Sequence, residues 1–260
     1  MNFKIFPIPI YSDNYVWTIV SPQGDRALVV DPGDASPVLA ALQERHLTLE
    51  AILVTHRHWD HVTGVNELQR HFACPVYGPN CEAIPQVSHP LNEGDEVQFW
   101  NKLTVTVWET PGHTQEHISY LLSGGPQPIL FCGDTLFAAG CGRLLGGTAE
   151  QLHTSLERYK TLPANTQVYC THEYTQSNLR FALAVEPLND DIKKRYQLVE
   201  NQRLSGEITL PSSLGLEAQT NPFLRCREAS VAQSVSDKFG QALAEPSRIF
   251  QELRNWKDNF

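Results

Sequence analysis

Residues Thr55-His56-Arg57-His58-Trp59-Asp60-His61 put three imidazoles and one carboxylate into six positions. That donor set suits zinc or another borderline divalent metal, whereas calcium and magnesium take all-oxygen shells. The cluster follows Ala51-Ile52-Leu53-Val54, an apolar, β-leaning run that reads as a buried strand. The ligands therefore fall on the loop leaving its C-terminal end, where open α/β sheets place their chemistry. Extended backbone alternates its side chains, so His56 and His58 can face one ion. Asp60 and His61 lie past the bend and can reach a second. The competing reading is a surface loop that happens to be rich in histidine.

The same pattern, a strand delivering a ligand, recurs three times. Leu103-Thr104-Val105-Thr106-Val107-Trp108 alternates with period two and leads into Thr110-Pro111-Gly112-His113. Ile129-Leu130-Phe131-Cys132 is followed by Gly133-Asp134, and Gln167-Val168-Tyr169-Cys170 by Thr171-His172. Pro111, Gly112 and Gly133 allow sharp bends just before two of these residues. Any one of them alone would be an ordinary turn. Together the four strands offer seven ligands, the number that two ions sharing one carboxylate require.

The elements that must hold these residues come from a chain of 260 residues, enough for one large core or one core plus a smaller domain. Hydrophobic content of 41% and charged content of 19% are those of a soluble globular protein. Apolar runs are too short to span a bilayer, so no membrane is expected. Met1 to Ile10 lacks a basic region followed by a continuous apolar stretch, and with Pro7 and Pro9 it reads as an edge strand, not a signal peptide. The six cysteines show no C-x-x-C spacing and are expected to be reduced thiols in a cytoplasmic protein. A net charge of −9 and the lack of a basic stripe exclude nucleic acid as a partner, but not a small anion held by a few local cations.

Organisation changes near residue 173. Before it, short β runs alternate with turns and with helices expected at Pro37–Arg45 (Ser36 as N-cap), His61–Phe72 and Thr148–Lys160. After it, Thr175–Val185, Asp190–Leu204 and Ser247–Trp256 carry helical periodicity, with Gly206 as a stop for the second. Ile208–Pro222 reads as a loop lying against the first domain.

At this point the residues carry a family resemblance. The 55–61 cluster, Thr110-Pro111-Gly112-His113-Thr114, Phe131-Cys132-Gly133-Asp134-Thr135 and His172 form the signature of the metallo-β-lactamase superfamily in its usual order. More closely, the chain resembles glyoxalase II, the hydroxyacylglutathione hydrolases, from its first strand to its last residue. The more specific marks are Gly140-Cys141-Gly142-Arg143, His172-Glu173-Tyr174-Thr175, Asn221-Pro222-Phe223-Leu224-Arg225 and Arg254-Asn255-Trp256-Lys257-Asp258. The resemblance implies an α/β fold: a metallo-β-lactamase-like αββα sandwich (1–173, catalytic) followed by a small all-helical, glutathione-binding domain (174–260). It implies that His56, His58 and His113 bind one metal, Asp60, His61 and His172 a second, and that Asp134 bridges them. It also implies that Arg143, Arg254 and Lys257 hold the carboxylate ends of glutathione while Tyr174 donates a hydrogen bond. Leu145 departs from the family pattern, standing where relatives often carry an aromatic against the substrate.

The implied activity is hydrolysis of S-D-lactoylglutathione to D-lactate and glutathione, the thioester step of methylglyoxal detoxification, by a monomer with two divalent ions. Zinc comes first, and iron or manganese fit the same ligands. Elementary chemistry supports a hydrolase independently. Metal coordination lowers the pKa of water from about 15.7 towards 7. A hydroxide held between two ions, with Asp60 and Asp134 as its catalytic carboxylates, can attack a carbonyl that the ions also polarise. A thiolate leaving group, whose thiol has a pKa of about 8.5, departs without a dedicated general acid. Each ligand histidine should give its other ring nitrogen to a carbonyl or carboxylate, with Glu116 and Asp31 as candidates. Alternatives on the same motif are a persulfide dioxygenase, a lactonase or β-lactamase, or a metal-binding module without catalysis. A lactonase or β-lactamase would not need Arg143, Arg254 and Lys257. A persulfide dioxygenase would be expected to end soon after the metal domain without the basic tail, and a module without catalysis would not need all seven ligands.

His117, four positions from His113, is expected to pack behind the ligands and not to be an eighth. His46, His71, His89 and His153 are read as surface or satisfied core residues. Arg254 and Lys257, at i, i+3 on one helical face, could equally offset a helix dipole; the resemblance favours substrate. Trp59 is expected to pack beneath the site.

Overall fold

The N-terminal prolines sit where a strand tolerates them. β1 (Lys4–Ile10) is an edge strand paired antiparallel with β2 (Asn14–Val20), placing Pro7 opposite Trp17 and Pro9 opposite Tyr15. Proline gives no ladder donor and so belongs on an edge. The structure, a computed structural model, describes residues 3–101 and 103–260, and Met1 and Asn2 of the expected edge strand lie outside them. The chain divides into two compact units, Met1–Thr110 with Glu116–Gly133, and Pro111–Gln115 with Asp134–Phe260.

In the first unit, β2 continues into β3 (Arg26–Val30), β4 (Thr48–Leu53), β5 (Val76–Pro79) and β6 (His89–Leu91), parallel from β3 onward. Ala51, Ile52 and Leu53 are fully buried, as the apolar run before the histidine cluster requires. Helices α1 (Ala35–Glu44), α2 (Trp59–Val62) and α3 (Val65–Phe72) belong to the same unit. Val38, Leu42, Val65 and Leu68 share a core with Ile8, Val29, Ile52 and Val54. A second set of strands, β7 (Glu96–Phe99), β8 (Leu103–Glu109), β9 (Ile118–Ser123) and β10 (Ile129–Gly133), pairs antiparallel in chain order.

Two helix expectations are corrected here. The first helix is capped by Asp34, whose side chain accepts from the Ser36 amide, so Ser36 is helical and not the cap. The expected 61–72 helix is two helices broken at Thr63-Gly64. There the Gly64 amide donates to Pro32 O at 3.0 Å, and a Cβ on Gly64 would stand 2.6 Å from that oxygen.

The second unit opens with a hairpin of β11 (Leu136–Phe137) and β12 (Gly140–Cys141), then α4 (Ala149–Tyr159). Thr148 and Gln151 form a reciprocal capping box at the start of α4. β13 (Gln167–Cys170) pairs with the two-residue β14 (Ser212–Ser213). Helices α5 (Thr175–Val185) and α6 (Asp190–Leu204) match the periodicity, and Gly206 takes φ +74° just past the second. The 208–222 stretch is not simply a loop. It contains β14 and α7 (Leu214–Thr220), capped by Ser213. A 3-10 turn (Pro222–Leu224), α8 (Ala229–Phe239) and α9 (Pro246–Asp258) complete the unit. Leu179, Ala182, Ile192 and Val199 join Ala139 in one cluster, while Phe223 stacks on Phe181 and meets Phe250 edge-on.

All six cysteines are free; Cys81 is half-buried and the other five are buried. No described helix is long and apolar enough to cross a membrane.

Candidate metal centre

Each unit brings its own share of the expected ligands together. In the first, β4 ends at Leu53 and the chain crosses Val54 and Thr55 into the histidine loop. His56 Nε2 and His58 Nδ1 converge to 2.9 Å. The His61 ring lies 4.1 Å from that of His56, and its Nε2 is 3.6 Å from Asp60 Oδ2. His56 and His61 are buried and His58 and Asp60 half-buried.

Asp31 organises this loop from behind. Its carboxylate accepts from the Thr55 amide (2.8 Å) and the Thr55 hydroxyl (2.7 Å), and faces His61 Nδ1 at 3.0 Å. Having given its proton to Asp31, the Thr55 hydroxyl accepts from His56 Nδ1 at 3.1 Å. Thr55 thus holds His56 Nδ1 while the Asp31 carboxylate faces His61 Nδ1, which leaves the Nε2 lone pairs of both rings to a metal. Asp31 is the carboxylate the sequence suggested. Glu116 is not a histidine partner: it accepts from the Arg57 amide and pairs with the Arg57 guanidinium, bracing the residue between His56 and His58. Asn14, which no spacing pattern flags, donates to Asp60 Oδ2 at 3.0 Å. His117 is buried, stacks on His56 with centroids 5.0 Å apart, and meets the Thr110 hydroxyl at 3.0 Å, as the packing role requires. Trp59 does not pack beneath the site. It is 65% exposed and touches Tyr11 edge-on, because the first residue of α2 faces outward when His61, two further on, turns in.

In the second unit, Asp134 stands between two imidazoles. One oxygen is 3.4 Å from His113 Nε2 and the other 3.4 Å from His172 Nε2. His113 Nδ1 donates to Arg143 O at 2.7 Å, again leaving Nε2 for a ligand. A carboxylate whose two oxygens face two different imidazoles is the geometry a bridging ligand needs. Gly142 permits it: a Cβ there would lie 2.0 Å from Asp134 O and 3.1 Å from His113 Nδ1. His172 is stacked on Tyr174, and the Phe137 ring meets both edge-on. The donor set, imidazoles and carboxylates with the far nitrogens of His56 and His113 bonded to oxygen, fits divalent metal ions.

The four expected anion-binding residues also lie in this unit. Arg143 has an exposed side chain, with Nε 3.7 Å from Asp258 Oδ1. Arg254 is 3% exposed and gives Nη1 to Cys141 O (2.9 Å) and Nη2 to Asp258 (2.9 Å). Lys257 is half-buried, with Nζ 3.3 Å from Ser177 O. Desolvation, reinforced by the neighbouring Arg254 and Arg143 charges, lowers its pKa to about 8. Tyr174 is half-buried and Leu145 half-exposed.

Comparison with known proteins bears on family and fold. Residues 12–172 match the family model of the metallo-β-lactamase superfamily, and residues 173–260 match that of the hydroxyacylglutathione hydrolase C-terminus. The hydroxyacylglutathione hydrolase of Pseudomonas fluorescens is 50% identical over 99% of both chains, and that of Hahella chejuensis 49% identical over the same share. Among solved structures, ETHE1 from Myxococcus xanthus superposes with a TM-score of 0.64 at 26% identity, covering 99% of this chain and 98% of its own. TTHA1623 in a di-iron-bound form gives a TM-score of 0.59 at 27% identity over 84% of this chain and all of its own. With both family models matched in sequence order and full-length relatives at half identity, the chain belongs to the hydroxyacylglutathione hydrolase family, built on the metallo-β-lactamase fold with a helical C-terminal region.

Proposed function

We propose that this protein hydrolyses S-D-lactoylglutathione to D-lactate and glutathione, using two divalent ions. His56, His58 and His113 hold one ion, Asp60, His61 and His172 the other, and Asp134 both. Zinc is the first candidate by donor type; iron is supported by the di-iron form of the TTHA1623 structure. When bound, such ions supply a nucleophile at neutral pH and polarise the carbonyl under attack.

The chain's own residues do the rest. Asp31, through His61 and Thr55, and Arg143, through its carbonyl on His113, hold the ligand rings in one tautomer and orientation. The Arg143 guanidinium, Arg254 and Lys257 draw in the glutathione carboxylates, and Tyr174 offers its hydroxyl. No general acid is needed, because a thiolate leaves unassisted near neutral pH. Residues 1–173 thus act as the catalytic part and 174–260 as the glutathione-binding part. All of these groups come from one chain, which supports a monomer. Six free cysteines support a reducing, cytoplasmic setting.

The observation that carries this reading is the gathering of Arg143 and Arg254 on Asp258, beside Lys257, in the unit that also holds Asp134 between His113 and His172. A lactonase acting on an uncharged ring has no use for that cationic cluster. The test is release of free thiol from S-D-lactoylglutathione by the purified protein, before and after chelator treatment. Fast release that the chelator abolishes and added zinc restores is expected. No release from protein shown to carry metal would overturn the assignment.

A further inference from the structure

The hairpin of β11 and β12 separates two functional residues, Asp134 just before it and Arg143 just after. Its base is closed by the Gly142 amide donating to Thr135 O at 3.3 Å. Its tip is strained, because Ala139, a residue with a Cβ, takes φ +55°. L-residues avoid that region, and such a conformation persists only where the surroundings over-determine it.

Three buried polar side chains do so. Glu217, on α7 and fully buried, accepts from the Ala139 amide at 2.7 Å. Asn221, also fully buried, donates to Phe137 O (3.2 Å) and Gly140 O (2.9 Å), one carbonyl on each strand. Asn178, on α5, donates to Ala138 O at 3.0 Å, and its amide lies 2.5 Å from where a Gly140 Cβ would sit. Successive backbone groups of the tip are therefore bonded to side chains from other elements.

The anchor is itself anchored. Glu217 Oε1 takes Arg195 Nη2 at 2.6 Å and the Ser212 hydroxyl, while Oε2 takes Asn221 Nδ2 at 3.0 Å. Arg195 is 6% exposed, so this is a desolvated ion pair, and its guanidinium also donates to the Thr220 and Ser212 hydroxyls. Burying a charged pair merely to hold a fold together is a poor exchange against apolar packing. Fixing a polar geometry is the better-suited use, and what is fixed here is informative. Phe137, whose carbonyl Asn221 grips, presents its ring to His172 (centroids 5.7 Å) and to Tyr174 (5.2 Å), both at nearly right angles.

We propose that Glu217, with Asn221 and Asn178, is a positioning device for the metal centre. It locks the strained 136–141 hairpin so that Asp134 at its base stays between His113 and His172, and so that the Phe137 edge buttresses His172. This rests on the metal-centre reading above. None of the three residues is a ligand. They act through the hairpin backbone, and their loss is felt at the ligands, as with other groups that orient a first coordination shell.

The test compares zinc affinity, measured by competition with a chromophoric chelator, in the full-length wild type, Glu217→Gln and Asn178→Ala. Thermal stability and the kcat and KM for thioester hydrolysis are measured on the same samples. Glu217→Gln removes the charge facing Arg195 and half of the acceptor set. Asn178→Ala leaves the Arg195–Glu217 pair whole and so keeps a folded variant in hand. Zinc affinity is expected to fall by about tenfold or more in Glu217→Gln and by a smaller factor in Asn178→Ala, with kcat falling and KM nearly constant. Variants that melt earlier but bind zinc as the wild type does would overturn the proposal and leave a purely structural network. A wild type that binds no zinc would instead overturn the metal-centre reading and take this proposal with it.

Discussion

The rings of His172 and Tyr174 lie face to face, centroids 4.7 Å apart and planes within 5° of parallel. A proposed ligand and a proposed substrate contact are therefore one aromatic unit, and a single position serves both. Replacing Tyr174 by Phe keeps the stacked face and removes only the hydroxyl. KM should rise by roughly 2- to 13-fold, as for a lost hydrogen bond of about 0.5–1.5 kcal/mol, with metal content unchanged. Tyr174→Ala also removes the face on which His172 rests, so metal content should drop with it. Steady-state kinetics paired with metal analysis separates the two effects.

Arg254 is a more structural residue than its place in a terminal motif suggests. Nη1 grips Cys141 O, with Gly142 O at 3.4 Å, and so ties α9 to the segment that leads into Arg143. Arg254→Ala should therefore raise KM and also destabilise the protein by about 2–3 kcal/mol through lost charged hydrogen bonds. Lys257→Ala, at a half-buried position, should raise KM with a smaller fall in melting temperature. Equal melting temperatures for the two variants would contradict this division of labour.

Lys257 gives the proposed activity a pH dependence of definite sign. Desolvation first, then the Arg254 charge, bring its pKa down from 10.5 to about 8. The ammonium is present below about pH 8 and lost above it, so kcat/KM should decline through that region as attraction for the glutathione carboxylates weakens. Stability runs the other way. Between about 8 and 10.5 the unfolded chain holds a proton that the folded one has released, so this lysine's contribution to stability rises with pH. Lys257→Arg, which stays charged, should erase the decline in kcat/KM. A decline that survives in that variant would assign it to another group.

Asp134→Asn and Gly142→Ala should give related defects by different routes. The first keeps the shape and removes the charge shared by His113 and His172. Metal content should fall, and thiol release by roughly 100-fold or more, given the several kcal/mol such electrostatic stabilisation supplies. The second keeps every ligand but puts a methyl group 2.0 Å from Asp134 O, so the hairpin base must open. Metal content should fall there too, and raising zinc should not restore full activity.

Much of this was legible because the sequence writes strands and ligands in one grammar. An apolar run followed by His or Asp located β4, β8, β10 and β13, and the residues after them converge within each unit. Edge proline and helix-stop glycine were readable for the same reason: each acts on its own few residues. What escaped was non-local. The break at Gly64 comes from the approach of Pro32, 32 residues earlier in the chain. Helix α7 is seven residues long, too short for periodicity to declare itself. Glu217, Asn178 and Asn221 are of residue types mostly found exposed, and only their partners reveal them as interior. Asn221 had been visible as part of a family motif, but with no role attached to it.

The six free thiols carry a consequence for a protein proposed to release glutathione at every turnover. Thiol–disulfide exchange begins with a thiolate. Burial pushes Cys141 up to about 11 and Cys170 up to about 12, and raises Cys74, Cys81 and Cys226 as well. At neutral pH these sulfurs stay protonated, and all but Cys81 are shut away from solvent. An oxidised glutathione pool would find little on this chain to attach to, so activity should outlast a swing in cellular redox state that disables proteins with exposed, acidic cysteines.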